Sequence, residues 1–521
     1  MFKYIKSDLP ASIVVFFVAL PLCLGIALAS GAPLFSGLIA GIIGGIVVGA
    51  LSGSKIGVSG PAAGLAAIVL TAIGSLGGYE NFLVAVVLGG VIQLIFGALK
   101  AGVIGYYFPS SVIKGMLTGI GIIIILKQIP HFFGFDADLD NGIFQSDGDA
   151  GFFSSLSHIS IGSTIVGFMG MGILLLWSEV LSKKHKIFTL IQGPLVAVVM
   201  GIVYFMLTQS NESLGINSNL MVSVPIPDSI DSFLGQFSFP NFSAISNSEV
   251  WVVAFTIALV ASLETLLCVE ATDKLDPHKN VTPTNRELLA QGTGNIISGM
   301  IGGLPITQVI VRSSANIQSG GRTKLSAIIH GVLLLSAVIL IPKLINNVPL
   351  SVLAAILFIV GYKLAKPALF VQMYKMGWKQ FLPFVVTVAG IVFTDLLVGI
   401  SLGLAVGIIV ILIKSYQNSH FLHIEDKSDG KHKIKMTLAE EVTFINKGAI
   451  LKELDSLPSE SLLELDVRKT RYLDNDIVEI LEDFALKAKE RSIDIKIISE
   501  RGIVENPPSY IEFFKLRPKT A

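Results

Sequence analysis

Two short broken segments, GVSGPAA at residues 57–63 and GLPITQVIVR at residues 303–312, decide how this chain folds. Each interrupts a long apolar run with glycine and proline, which end helices and free backbone N–H and C=O groups. The segments lie at matching points of two apolar halves, because the first span of each half begins near Pro10 and near Val250. Broken helices at corresponding points of two halves indicate a binding site near the middle of a membrane.

The composition places most of the chain in a lipid bilayer. Of its 521 residues, 52% are hydrophobic and only 15% are charged, and the mean hydropathy is +0.73. Apolar stretches of roughly 18 residues or more, the length that crosses a bilayer, recur as far as about residue 415. We predict about fourteen spans in a transmembrane domain at residues 1–417, a connector at 418–432 and a small cytoplasmic domain at 433–521.

The charges of the loops support this count, because short cytoplasmic loops collect lysine and arginine. With the N-terminus inside, basic and acidic loops alternate, and both termini are cytoplasmic. An even split gives seven spans to each half. Because seven is odd, the second half starts on the opposite side of the membrane and is inverted relative to the first. The prediction is therefore an all-α polytopic membrane protein built as a seven-plus-seven inverted repeat. The basic loops carry Lys3 and Lys6, Lys55, Lys100, Lys183 to Lys186, Lys274 to Arg286, Arg322 and Lys324, Lys363 to Lys379, and Lys414; the others carry Glu80, Asp136 to Asp149, Glu212, Asp228, Asp231 and Asp395, with Lys343 as the main exception.

The tail alternates predicted strands and helices, which indicates a small α/β domain. It has no glycine-rich phosphate loop and no catalytic constellation, so we predict a regulatory or assembly role and no enzyme activity. His420 and His423 lack further ligands, and no metal or cofactor is predicted. The net charge is zero and the sequence has no basic patch, so we predict no nucleic-acid partner. The predicted strands are residues 433–438, 441–444, 462–467 and 493–498, and the predicted helices are 447–456 and 476–489.

The first broken segment predicts a half-helix that starts inside the membrane. Pro61 disfavours helix at Gly60 and suits the first turn of a new helix. The free N–H groups of that turn and the helix dipole attract anions. Ser59, Gly60, Ala62 and Ala63 are therefore candidate binding residues, and the second half repeats the arrangement at 305–307. The alternative is a loop packed inside protein.

Two charged residues stand alone in apolar sequence, Arg312 at the second break and Glu264 in an earlier apolar span. A charge at mid-membrane costs about 2.5–3.5 kcal/mol on insertion scales, so it has a partner or a function. Arg312 suits an anion held between two helix N-termini; the alternatives are an arginine that reaches the interface or pairs permanently with Glu264. Glu264 either makes such a structural pair or couples transport to a cation.

Glycine recurs every fourth residue through the second span, at Gly37, Gly41, Gly45, Gly49 and Gly53. One face of that helix is therefore bare backbone, which predicts a close crossing with a neighbouring helix. The alternative is a surface along which two bundles slide.

These residues resemble the SulP family of inorganic anion transporters over essentially the whole chain. The strongest stretch is residues 295–330, which includes GGLP at 302–305 and RSSANIQSGGRT at 312–323. Leu20-Pro21, Ala29-Ser30-Gly31 and VSGP at 58–61 add to it. The tail is similar to the STAS domain that closes these proteins, although the usual Asp-Ser-Ser-Gly pattern reads Asp-Asn-Asp-Ile at 474–477.

The resemblance implies a fold of the UraA-like SulP type, in which a core (spans 1–4 and 8–11) moves like an elevator against a gate (spans 5–7 and 12–14). It also implies homodimers in the cell inner (plasma) membrane. The anion is expected between half-helices 3 and 10. The implied pocket residues are Leu22, Ile26, Ala62, Ile310, Val311 and Arg312.

The departures from the family pattern favour bicarbonate as substrate. Many sulfate-type members have glutamine at Leu22 and serine at Val311, whereas bicarbonate transporters share the Leu20-Pro21-Leu22 form. In this chain Glu264, Cys268 and Ile310 occupy the positions of the family's sodium site. The expected coupling ion is therefore Na+ or H+. The alternatives are a sulfate permease, proton-coupled or exchanging, and less favoured a nucleobase carrier or an anion channel.

Overall fold

The computed structural model describes residues 4–103, 109–134, 159–184, 188, 192–209, 211, 214–226, 235–394, 396–428, 431–500 and 502–515. Several loop charges used in the topology prediction lie outside the described residues: Lys3, the run from Asp136 to Asp149, Lys186, Glu212, Asp228, Asp231 and Asp395. The chain divides into two compact units, Met1–Leu404 and Ala405–Ala521. The predicted domain boundary after residue 417 stays a prediction.

The first half of the membrane unit is a series of helices with one break. Helix α2 continues through a π-helical turn, Gly44–Val48, to Leu51. A short 3-10 turn, Ala63–Leu65, precedes the third helix. The helices are α1 (Ile5–Ala29), α2 (Leu34–Ile43), α3 (Ala66–Ser75), α4 (Tyr79–Ala98), α5 (Ser110–Phe133), α6 (Ile161–Leu176) and α7 (Gly193–Thr208).

The second half repeats this order. Its third helix is again short, nine residues, and again follows an extended segment. Short helical pieces at Pro342–Ile345 and Pro367–Lys375 flank the twelfth helix. The helices are α8 (Ser248–Leu275), α9 (Thr284–Met300), α10 (Ile310–Gln318), α11 (Leu325–Leu340), α12 (Leu350–Leu364), α13 (Trp378–Phe393) and α14 (Leu396–Gln417).

Within the described residues, eight helices are long and apolar enough to cross a membrane. Four shorter apolar helices accompany them, at Ala63–Ser75, Gly193–Thr208, Leu325–Leu340 and Trp378–Phe393. Helix α9 falls outside both groups because it carries several polar side chains, and α10 falls outside them because it has only nine residues. The number of spans therefore stays a prediction.

A two-stranded antiparallel pair joins the two halves. Strand β1 (Ser59–Pro61) lies against β2 (Ile306–Gln308), with Gly60 opposite Thr307. Each strand leads into a short helix, β1 into α3 and β2 into α10. Because the strands run in opposite directions, the two half-helices leave the pair in an inverted relationship, as an inverted repeat requires.

Glycines let several helices cross at short distances. Two of these crossings involve helix pairs that the inverted repeat relates to each other. A Cβ on Gly45 of α2 would lie 2.7 Å from Gly331 Cα of α11, and a Cβ on Gly90 of α4 would lie 2.7 Å from the Gly292 carbonyl oxygen of α9. In the predicted repeat, α2 corresponds to α9 and α4 to α11, so the two crossings are equivalent. The close packing predicted for the glycine face of α2 is confirmed.

The second unit contains a five-stranded sheet in the order β3-β4-β6-β8-β9. Strands β4, β6 and β8 are parallel, and the two outer strands are antiparallel to them. Alternate apolar residues of these strands pack on α16. The elements are β3 (His420–Ser428), β4 (Lys431–Leu438), β5 (Glu441–Val442), α15 (Lys447–Ser456), β6 (Ser461–Asp466), β7 (Tyr472–Leu473), α16 (Asn475–Glu490), β8 (Asp494–Ser499), β9 (Gly502–Glu505) and α17 (Tyr510–Lys515).

The tail differs from the prediction at two places. The segment 418–432, predicted as a connector, contains strand β3, because β3 supplies hydrogen-bond partners for the edge of β4 that would otherwise be free. The strand predicted at 441–444 ends at Val442, because Thr443 and Asn446 form a capping box that starts the next helical turn.

Candidate anion-binding site

The backbone before β1 is held by side chains of the opposite half-helix. The Val58 N–H donates to Ser313 Oγ (3.0 Å), and Asn316 Nδ2 donates to the Ile56 carbonyl (2.8 Å). The Val309 N–H also donates to the Val58 carbonyl (3.0 Å). Because α10 satisfies the backbone of the other broken segment, the two breaks form one structure.

A buried amide on α9 fixes the second strand. Asn295 accepts from the Ile306 N–H (2.5 Å) and donates to the Ile306 carbonyl (3.1 Å) and to Gln93 Oε1 (2.6 Å). Gln93 in turn donates to Ser262 of α8 (3.2 Å). Sequence reasoning missed these residues; the available signal was an amide in the middle of each of two predicted spans.

A second buried chain of hydrogen bonds fixes the first strand. The fully buried Glu287 accepts from Ser52 Oγ (2.5 Å) and Gln291 Nε2 (3.0 Å). Gln291 Nε2 also donates to Ser59 Oγ (2.8 Å). The hydroxyl of Ser59 therefore accepts a hydrogen bond within the protein and helps to hold β1, and its predicted contact with substrate stays a prediction.

The Arg312 side chain reaches from α10 to β1 and is 1% exposed. Its Nη2 lies 3.3 Å from Cys23 Sγ, and its Nη1 lies so close to Gly60 that a Cβ there would overlap it. Nε and Nη1 have no hydrogen-bond partner among the described residues. Arg312 makes no ion pair with Glu264, so the predicted alternative of a permanent pair is not what the structure contains.

The side chain of Glu264, a residue of α8, reaches the 3-10 turn before the other half-helix. Its carboxylate accepts from the Gly64 N–H, and a Cβ on Gly64 would lie 2.7 Å from its oxygens. Its Oε2 has no further partner among the described side chains and backbone, and the residue is 8% exposed. The Ile310 N–H donates to Cys268. Side chains of α8 therefore accept hydrogen bonds from some of the backbone N–H groups that were predicted to be free.

The remaining predicted site residues form an apolar boundary. Ile26 and Ala62 are buried in one cluster with Leu65, and Leu22 is buried with Cys23 in a neighbouring cluster. Ala63 and Ile310 are half-buried. Val311 is 46% exposed, so the first turn of α10 forms the accessible surface of the site. The Arg312 side chain, which follows it in the sequence, is buried.

Residues 5–387 match the family model described as the sulfate permease family. The chain belongs to this family. The match covers both broken segments and both predicted charged residues of the site.

Several curated relatives match nearly the whole chain, among them two named for different anions. The putative sulfate transporter YvdB of Bacillus subtilis is 26% identical over 508 residues, which cover 95% of this chain and 91% of that protein. The bicarbonate transporter BicA of Picosynechococcus is 25% identical over 547 residues, which cover 99% of this chain and 92% of that protein. Relatives named for two different anions thus match to a similar degree.

Two solved structures share the fold. The transmembrane domain of a cyanobacterial BicA matches with a TM-score of 0.63 at 26% identity, covering 77% of this chain and 98% of that one. SLC26A9 matches with a TM-score of 0.75 at 16% identity, covering 95% and 85%, and supports the fold alone. The predicted fold class is confirmed. This family member is a multi-pass membrane transporter of inorganic anions, sulfate or bicarbonate, and not an enzyme.

Proposed function

We propose that this protein is a secondary active carrier that prefers bicarbonate. The observation that supports this most is Arg312, a buried guanidinium with two unpartnered N–H groups and no ion pair among the described residues. A buried cation without a counter-ion is unfavourable unless an anion approaches. The charge lies beside Gly60 and at the start of α10, and therefore adds a positive potential on the α10 side of the pocket.

The apolar surroundings favour a singly charged anion. One guanidinium and a few backbone N–H groups balance one negative charge, and Leu22 and Val311 add no hydrogen bonds. Sulfate carries two charges and needs more donors when it leaves water. Sulfate remains the second candidate, because a relative of similar identity is named as a putative sulfate transporter.

Glu264 provides a physical reason for coupling. Its carboxylate occupies the N-terminal turn before α3, where an anion would also bind, and two negative charges in one pocket repel. A proton or Na+ bound at Glu264 removes that repulsion. Anion and cation then bind together, which is symport.

Helix packing supports the elevator mechanism as part of the proposal. Helices α4 and α9, and α2 and α11, make glycine crossings within one group, whereas α5 packs on α12 and α13. The pocket residues belong to α1, α3, α8 and α10 and move with the first group. We also propose a homodimer in the cell inner membrane with both termini in the cytoplasm.

Uptake into liposomes tests the proposal. We expect saturable uptake of labelled bicarbonate, weaker uptake of sulfate and chloride, and no competition by uracil. Arg312→Ala should reduce uptake at least about tenfold, since a hydrogen-bonded charge contributes roughly 1.5–3 kcal/mol. Arg322→Ala is the matched control, because its exposed side chain lies over the Tyr4 ring. Normal uptake by Arg312→Ala, or no anion uptake at all, contradicts the proposal.

The same liposomes test coupling through Glu264. Glu264→Gln should still carry the anion but lose its response to an imposed Na+ or proton gradient, because the amide binds neither ion as a carboxylate does. Glu270→Gln on the same helix is the control, since Glu270 is exposed and pairs with Lys274. A gradient response that survives in Glu264→Gln would assign coupling to another group.

A further inference from the structure

A fully buried histidine on α11 has one ring nitrogen without a partner. His330 Nδ1 lies 2.8 Å from the Ala327 carbonyl oxygen, which can only accept, so Nδ1 carries the proton. The imidazole is neutral, because a buried charge without a carboxylate partner is strongly disfavoured. Nε2 is therefore an acceptor, and it has no hydrogen-bond partner among the described residues.

His330 and Arg312 lie along the same bare face of α2. A Cβ on Gly45 would lie 2.9 Å from Cε1 of His330, and a Cβ on Gly41, one turn earlier, would lie 3.9 Å from Nη1 of Arg312. The guanidinium is also close enough to act electrostatically on the imidazole. The unpartnered donor Nη1 and the side chain that carries the unpartnered acceptor Nε2 thus lie within one turn of each other along the glycine face of α2.

We infer that His330 is a positioning residue for Arg312. Its Nε2 accepts from the guanidinium through one water molecule, and so fixes the charge beside Gly60. A carboxylate at this place would neutralise the guanidinium, whereas a neutral imidazole satisfies a donor and leaves the positive charge intact for the anion. The inference rests on the proposed function, in which Arg312 supplies that charge.

Three substitutions of His330 distinguish its role as a hydrogen-bond acceptor from its role in helix packing. His330→Gln places an oxygen near the position of Nε2, His330→Asn reaches only the position of Nδ1, and His330→Glu adds a carboxylate. Loss of one hydrogen bond to a charged group predicts a KM raised about tenfold in His330→Asn and within about threefold of wild type in His330→Gln. His330→Glu should abolish saturable uptake, because its charge cancels that of Arg312.

KM and maximal rate in liposomes, together with the Tm of each purified variant, decide the question. A merely structural role would lower the Tm of all three variants and leave KM unchanged, which would overturn the inference. A KM in His330→Gln as high as in His330→Asn would overturn it as well.

A double variant distinguishes this inference from the proposed function. If His330 acts through Arg312, adding His330→Asn to Arg312→Ala changes neither KM nor rate further. An additional loss in the double variant would show that His330 acts independently. If Arg312→Ala itself behaves as wild type, the proposed function is wrong. If Arg312→Ala is defective but His330→Asn has a wild-type KM, only the role of His330 is refuted.

Discussion

Arg312 shows how a single residue determines the character of the pocket. Its guanidinium has left water, yet within the described residues its one hydrogen-bond contact is a cysteine sulfur, which is a weak acceptor. No carboxylate of the described residues forms an ion pair with it, so the positive charge is available to a ligand. Gly60 is part of this arrangement, because only a residue without a side chain leaves room for Nη1.

Gly60→Ala should therefore weaken anion binding by moving the Arg312 charge. The new methyl group would overlap Arg312 Nη1 and displace the guanidinium from β1. We expect KM for the anion to rise about tenfold, since a shift of this kind loses at least one charge-assisted contact. Saturation curves of anion uptake in liposomes measure it.

Gly74→Ala is the matched control on the half-helix that follows. A Cβ there has nothing within 4 Å, and alanine favours helix over glycine by about 1 kcal/mol. Uptake should be unchanged and stability equal or higher. If both variants raise KM equally, the contact between Gly60 and Arg312 does not set anion affinity.

The charged residues of the site could be predicted from sequence, but their supports could not. Arg312 and Glu264 stand out because a lone charge in an apolar run needs a partner or a function. Asn295 and Gln291 do not stand out, since one amide changes the hydropathy of a span only slightly. Ser59 was predicted as a ligand because its motif identifies it, whereas the bond to Gln291 depends on a contact between distant parts of the chain.

At the scale of elements, glycine crossings hold the core helices together. At the crossing of α4 and α9, the nearest atoms to each glycine include backbone atoms of the other helix. Backbone cannot rotate away as a long side chain can, so the crossing tolerates no added methyl group.

Gly292→Ala should destabilise the membrane unit. Its Cβ would lie 2.7 Å from the Gly90 carbonyl oxygen and 2.9 Å from the Leu94 nitrogen. Overpacking of this kind costs about 1–3 kcal/mol. A lower Tm of the detergent-purified protein is the expected result.

Gly172→Ala on α6 provides the comparison, because a Cβ there meets nothing within 4 Å. Its Tm should match or exceed that of the wild type. An equal Tm for Gly292→Ala would mean that the two helices separate easily, which is not compatible with the crossing described above.

Element prediction succeeded where one pattern dominates the local sequence. The helix at Lys447–Ser456 has the predicted bounds. Strand β3 was missed because His420–Ser428 follows directly on the last apolar helix, and its pairing with β4 is a tertiary interaction. The breaks at β1 and β2 were predicted because proline and glycine act locally.

For the whole molecule, every proposed site residue lies in the first compact unit. The tail sheet contributes none of them. Removing residues 419–521 should therefore lower the uptake rate without abolishing it, and KM for the anion should stay at the wild-type value. Liposome uptake normalised to the amount of reconstituted protein measures both quantities.

A milder tail variant is the control for that truncation. Hydrogen bonding from the Arg468 guanidinium lowers the pKa of Asp466 to about 2. Because the folded pKa is below the usual value, this stabilisation is complete near pH 7 and is lost as the pH falls towards 2. Asp466→Asn should weaken the tail at neutral pH with KM unchanged. A raised KM in either variant would show that the tail shapes the pocket.

The strand pair between the halves has a consequence for biosynthesis. Ser59 finds its partner only after Gln308 has left the ribosome, and until then the backbone of the first break is unpaired. Lipid cannot satisfy such groups, so the nascent first half keeps this segment in contact with water or the insertion machinery. A chain cut between the halves therefore yields no half-sized transporter, and co-expression of the two fragments is the minimum that restores a pocket.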